Sequence, residues 1–260
     1  MSVAAKPHRS VVVEVAVDSV AGAKAATAAR AHRIELCCAL GDGGLTPTPG
    51  LLQAVKRATR LPVTALLRPR AGDFLYAADE FEVMRADLEQ LAAAGADGFA
   101  VGVLTADGDL DLPRMRELAT AAAPLPLCCH RAFDLARDPA AVLEHLVELG
   151  FARVLTSGLC ATASAGQDRI RMLVHDARGR IDVVAGAGVR ATNVQELVRR
   201  TGVPAVHLSA STFVDSGMRH RNAAATMGTQ PGRGDYSLRK TDGDEVARVV
   251  AALAELAGPQ

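Results

Sequence analysis

Gly95-Ala96-Asp97-Gly98-Phe99-Ala100-Val101 decides the fold. A helix-periodic segment ends on Gly95, two residues follow, and an apolar run begins. The phrase returns at Gly150-Phe151-Ala152-Arg153-Val154-Leu155 and at Gly202-Val203-Pro204-Ala205-Val206-His207-Leu208, with a looser copy at Ala29-Arg30-Ala31-His32-Arg33-Ile34-Glu35-Leu36. Glycine after a helix supplies the left-handed C-cap, and a short loop then feeds a buried strand. Strand alternating with helix implies a parallel sheet covered by helices. In such folds the chemistry sits at the C-terminal ends of the strands.

Eight apolar runs follow one another: Val11–Val17, Arg33–Cys37, Val63–Leu67, Gly98–Val101, Pro126–Cys129, Arg153–Thr156, Asp182–Ala185 and Ala205–Leu208. Their starts lie roughly 20 to 35 residues apart, the room a βα unit needs. The segments between them carry helical period. Phe81, Met84, Leu88 and Leu91 share one face, and so do Val142, Leu143, Leu146 and Leu149. Asp138 before Pro139 reads as N-cap and N1, and Thr192 with Gln195 as a capping box. The pattern predicts an α/β chain closed into a (β/α)₈ TIM barrel; an open doubly wound sheet is the rival. Residues 1–10 read as a flexible tail and residues 11–260 as a single barrel domain. Gly228–Gly234 reads as a loop before a last helix at Asp244–Ala257.

Composition excludes several classes. The 29 basic and 29 acidic residues balance, which argues against nucleic acid or an anionic membrane as a partner. Tryptophan is absent and aromatics make up 3%, a poor basis for stacking on bases. No apolar run reaches the roughly 20 residues of a membrane helix, and Met1–Ser10 lacks a signal core. Five cysteines in 260 residues are no disulfide framework; they suit reduced thiols in a cytoplasm.

Several strand ends carry residues an inert core avoids. The first run holds Glu14 and the second Glu35. The third leads into Arg68-Pro69-Arg70-Ala71-Gly72-Asp73-Phe74, and the fifth into His130-Arg131-Ala132-Phe133-Asp134. Side chains alternate along a strand, so Glu35 and Cys37 share a face, and Cys128 and His130 share another. Glu14, Glu35 and His130 form a candidate acid–base set, with Arg68, Arg70 and Asp73 as candidate ligand contacts. A buried ion network is the competing explanation for these charges. Gly186 and Gly188 after the seventh strand, with His207, Ser209 and Ser211 on and after the eighth, make a candidate anion site, because barrels often hold phosphate between those loops. Adjacent cysteines at Cys37-Cys38 and Cys128-Cys129 point to opposite faces, so neither pair chelates one ion. His32, His145 and His175 read as surface residues of helical segments, and Met84, Met115 and Met172 as core.

At these same residues the chain resembles the copper homeostasis protein CutC family. The matching stretches are Arg33-Ile34-Glu35-Leu36-Cys37, Gly43-Gly44-Leu45-Thr46-Pro47, Arg68-Pro69-Arg70-Ala71-Gly72-Asp73-Phe74, His130-Arg131-Ala132-Phe133-Asp134 and Arg153-Val154-Leu155-Thr156-Ser157-Gly158. Ala185-Gly186-Ala187-Gly188-Val189, Met218-Arg219-His220-Arg221-Asn222 and Asp235-Tyr236-Ser237 extend the match. The resemblance implies a cytoplasmic barrel, a homo-oligomer (dimer or tetramer), and a link by name to copper. It also implies copper(I) ligation by two cysteines, one at Cys37 and one two residues after Glu14, where this chain has Ala16. Copper(I) favours soft thiolate and thioether ligands, so a copper site on Cys37 alone is expected to be weak or absent. The two expected partners are therefore a copper ion and a small phosphate- or carboxylate-bearing anion acted on by acid–base chemistry.

Overall fold

The computed structural model describes residues 10–222, 224–225, 227 and 234–256. Strands β1 (Val12–Val17), β2 (Arg33–Leu36), β3 (Val63–Leu66), β4 (Gly98–Val101), β5 (Leu127–Cys129), β6 (Arg153–Thr156), β7 (Asp182–Ala185) and β8 (Ala205–Leu208) pair in sequence order, all parallel, and β8 returns to β1. The sheet is thus a closed barrel and not an open one. Helices α1 (Val20–Ala28), α2 (Pro49–Ala58), α3 (Ala78–Ala93), α4 (Leu112–Ala122), α5 (Pro139–Glu148), α6 (Gln167–Ala177), α7 (Val194–Thr201) and α8 (Gly243–Leu256) alternate with the strands. No described helix is long and apolar enough to cross a membrane.

The glycine phrase works as read. Gly95, Gly150 and Gly202 have φ of 96°, 75° and 70°, and in the looser copy Arg30 takes the same left-handed turn at 60°. Helix starts are fixed by side chains: Ser19 accepts the Gly22 amide, Thr48 that of Leu51, and Asp138 those of Ala140 and Ala141. The Thr192 capping box does not form. Asn193 is the N-cap of α7, with its side chain turned back to the Arg190 amide and the Gly188 carbonyl, while Gln195 reaches the Ala252 carbonyl.

Two smaller expectations are corrected, and one element is new. Met84 and Met115 are fully buried, but Met172 is 61% exposed, because the core face of α6 is Ile170, Leu173 and Ala177. His32 lies in the turn before β2, not in a helix, and its Nδ1 accepts the Val13 amide. The segment after β8 also holds an unforeseen antiparallel hairpin, β9 (Ser211–Asp215) with β10 (Ser237–Thr241), ahead of α8. Residues 1–9 and 228–233, read as tail and loop, lie outside the described residues.

Alternation separates two apolar clusters. Val13, Val15, Val17 and Cys129 join the shell between barrel and helices. Cys37, Leu66, Ala100, Cys128, Leu155, Val184 and Ala205 form the barrel interior. That inner column contains too few large apolar groups to exclude charge, and its remaining positions build the site.

Candidate functional site

A polar stack rises through the barrel. The register sets Glu14 opposite Arg33 on β2 and opposite His207 on β8, and sets Ala16 opposite Glu35. Glu14 is 2% exposed. Its Oε1 accepts from His207 Nδ1 at 2.7 Å and its Oε2 accepts from Arg33 Nε. Arg153 from β6 donates to Thr64 at 3.3 Å and adds its charge nearby. On the far side of the ring, His207 Nε2 lies 3.9 Å from Glu35 Oε1.

The environments push the two carboxyl groups apart. Burial alone would raise Glu14, but the His207 hydrogen bond and the Arg33, His207 and Arg153 charges outweigh it and hold Glu14 well below the usual carboxylate range. Burial raises Glu35, the Glu14 charge adds to this, and the cations only partly offset it. Burial works against a charged His207, yet Glu35 and Glu14 together raise it above the ordinary imidazole value. Glu14, Glu35 and His207 offer ligand atoms within 4.8 Å of one another. These are oxygen and nitrogen donors, and Arg33 already occupies one Glu14 oxygen.

Above the stack the mouth has two connected lobes. One, of about 190 Å³, is lined by Glu35, Arg68, Phe74, His130, Arg131 and His207 among others. The other, of about 220 Å³, is lined by Glu35, Arg131, Gly188, Arg190, His207 and Ser209 among others. Glu35, Gly43, Arg131 and His207 belong to both.

Each wall is locally determined. Arg68 follows β3 and donates through Nη1 to the carbonyls of Asp42 and Gly44, and through Nη2 to that of Gly72. Its guanidinium lies 5.3 Å from the Phe74 ring centroid. His130 follows β5, packs on Phe74 at 4.8 Å, and accepts the Ala132 amide at Nδ1. Burial pushes His130 down to about 3, and the Arg68 charge adds to that effect. Gly102 makes room for this ring: a Cβ there would lie 2.7 Å from its Cε1. Arg131 is held at the rim by Asp134 at 2.8 Å and by the Ser157 hydroxyl at 2.8 Å. Asp134 also accepts the Ser157 and Leu159 amides, which ties the loops after β5 and β6 together.

The predicted residues divide on this map. Glu35, Arg68, His130, Gly188, His207 and Ser209 line the mouth. Glu14 lies beneath it, behind His207, because it sits two residues earlier on its strand than Ala16. Arg70 and Asp73 lie outside both lobes: Arg70 is engaged by Glu80 and Asp73 and lies over Tyr76, and Asp73 is 64% exposed. Gly186 spends its amide on the Thr156 carbonyl of the barrel ladder. Ser211 starts β9, and its buried hydroxyl has no partner among the described residues. Cys37 faces the interior, its thiol raised by burial first and by Glu35 next. Ala16, 3% exposed, brings no donor to it. Arg131, Arg190, Arg33 and Arg153 were missed. Arg33 was readable, since it alternates in phase with Glu35 and Cys37.

The CutC family profile matches residues 11–212. The chain is 44% identical over 243 residues to the human copper homeostasis protein cutC homolog, covering 94% of this chain and 89% of the human protein. It is 40% identical over 242 residues to a family protein CutC of Chromobacterium violaceum, covering 93% and 98% of the two chains. The crystal structure of CutC from Streptococcus agalactiae superposes with a TM-score of 0.74 at 30% identity, covering 76% of this chain and 98% of that one. Thiamine phosphate pyrophosphorylase from Pyrococcus furiosus, at 14% identity and TM-score 0.59 over 96% and 98% of the chains, shares the fold. The chain belongs to the CutC family.

Proposed function

We propose that the barrel mouth binds a small anionic metabolite and moves a proton on it, with Glu35 and His207 as the proton-transfer pair. One observation carries this: a buried carboxyl group with a raised pKa stands 3.9 Å from an imidazole whose pKa is also raised, at a position lining both lobes of the mouth. A carboxyl group raised by burial and set beside an imidazole suits proton exchange. Anion binding is supported by the rim. Arg131 and Arg190 reach the lobe that Gly188 and Ser209 line. Among the described residues no acceptor takes the amides of Gly188 and Val189.

Copper handling is the competing role, and the names of the human and Streptococcus agalactiae relatives favour it. The donor set here fits it poorly. Copper(I) prefers thiolate and thioether, Ala16 supplies neither, and burial keeps Cys37 in its thiol form. Two titrations separate the roles. Inorganic phosphate should bind the wild type saturably and bind Arg131→Gln about tenfold more weakly, the loss of one charged hydrogen-bond donor. Under chelator competition, copper(I) should show no tight stoichiometric site that Cys37→Ser abolishes. The opposite pair of results would favour copper.

A further inference from the structure

We infer that the Arg68–His130 wall of the mouth holds a carbonyl or carboxylate oxygen of the ligand, so the barrel accepts a small oxo or carboxylate compound that carries a second anionic group. This rests on the anion-binding role proposed above and names the class of molecule that role requires.

His130 Nδ1 accepts the Ala132 amide, so it carries no hydrogen. Neutral imidazole has one N–H, and it must then be at Nε2. That atom is buried and has no partner among the described residues, although His130 lines the lobe. Native proteins leave few buried donors unpaired. Arg68 repeats the pattern. Its terminal nitrogens are spent on three carbonyls, which orient the guanidinium without cancelling its charge, and its Nε–H is buried and unpartnered. Phe74 lies against both groups and fixes them on one wall. The wall thus offers unspent N–H donors and one positive charge, and no acceptor of its own. Its complement is an oxygen bearing or gaining negative charge.

Glu35 lines the same lobe, and this gives the wall a chemical use. If the Glu35 carboxylate takes a proton from the carbon beside a ligand carbonyl, that C–H bond breaks and its electron pair forms a C=C bond. The carbonyl π pair moves onto oxygen, where His130 Nε2–H and Arg68 meet the charge. Return of the proton from Glu35 to carbon or oxygen closes the balance with no other reactant. His130, held far below neutrality by burial, serves here as a fixed donor and not as the proton shuttle its sequence position suggested.

The test compares 2-phosphoglycolate and its one-carbon-longer homologue with ethyl and propyl phosphate, in which a methyl group replaces the carboxylate. One phosphocarboxylate should bind the wild type at least about tenfold tighter than its matched phosphate ester, as expected for charged hydrogen bonds. His130→Phe should erase that preference while keeping the affinity for ethyl phosphate. Nitrogen-15 NMR of the wild type, which does not depend on the variant folding, should show His130 protonated at Nε2 and not titrating between about pH 5 and 8. If the esters bind and the carboxylate adds nothing, the inference falls and anion binding stands. If none of the four compounds binds, both fall. A His130 proton on Nδ1 also overturns the inference.

Discussion

Glu14 answers three cations, Arg33, His207 and Arg153, from a position almost closed to solvent. Breaking such a group from one side leaves its partners buried and uncompensated, so Glu14→Gln should cost about 3–5 kcal/mol in denaturant unfolding. The loss should depend on pH in a defined sense. The pKa of Glu14 is lowered in the folded protein, so its contribution is present above the unfolded value of 4.5 and fades as pH falls below it. The pKa of His207 is raised, so its contribution is complete below 6.5 and fades as pH rises through the folded value. The wild type and Glu14→Gln should therefore differ most between pH 4.5 and 6.5. Strand alternation put Glu35 on one face with Cys37, and position at the end of the eighth strand pointed to His207 and Ser209. It said nothing about depth, which is why Glu14 read as a mouth residue. It also fails beyond a strand end. Arg70, well past the end of β3 at Leu66, turns outward, while Arg131, in the short 3₁₀ turn after β5, turns to the rim.

At the scale of elements, glycine makes the close approaches the site needs. Gly102 follows β4 beside the His130 ring, and an added Cβ would lie 2.6 Å from Ala132 Cβ and 2.9 Å from His130 Nδ1. Gly102→Ala should destabilise by about 1–3 kcal/mol through overpacking and should weaken the preference for phosphocarboxylates, because the ring must move. Calorimetry and the same titration read both effects. An unchanged melting temperature would contradict this packing. Helix ends were legible where one residue sets them, as at Asp138 or Gly150. The α7 start was not, because Asn193 answers to the Gly188 loop and Gln195 to α8, both tertiary partners. The β9–β10 hairpin was missed for a related reason. Its strands are half exposed, so they lack a buried period, and Ser211 pairs with Thr241 thirty residues later.

For the whole molecule, repetition carried the fold: eight βα units leave closure as the economical way to bury every strand on both faces. The function is less legible, because a charged column inside a barrel is compatible with both structural pairing and chemistry. Glu35 distinguishes them. A structural ion pair stabilises the fold through its charge, whereas a carboxyl group whose pKa burial has raised resists being charged. Unfolding of Glu35→Gln against the wild type at about pH 8, where the unfolded carboxyl is ionised, is the deciding measurement. Stability equal to or above the wild type is the expected result, since the neutral isostere removes the cost of burying charge. A loss of about 3–5 kcal/mol, the mark of a broken buried pair, would make Glu35 part of the scaffold and contradict its role as the proton-transfer group.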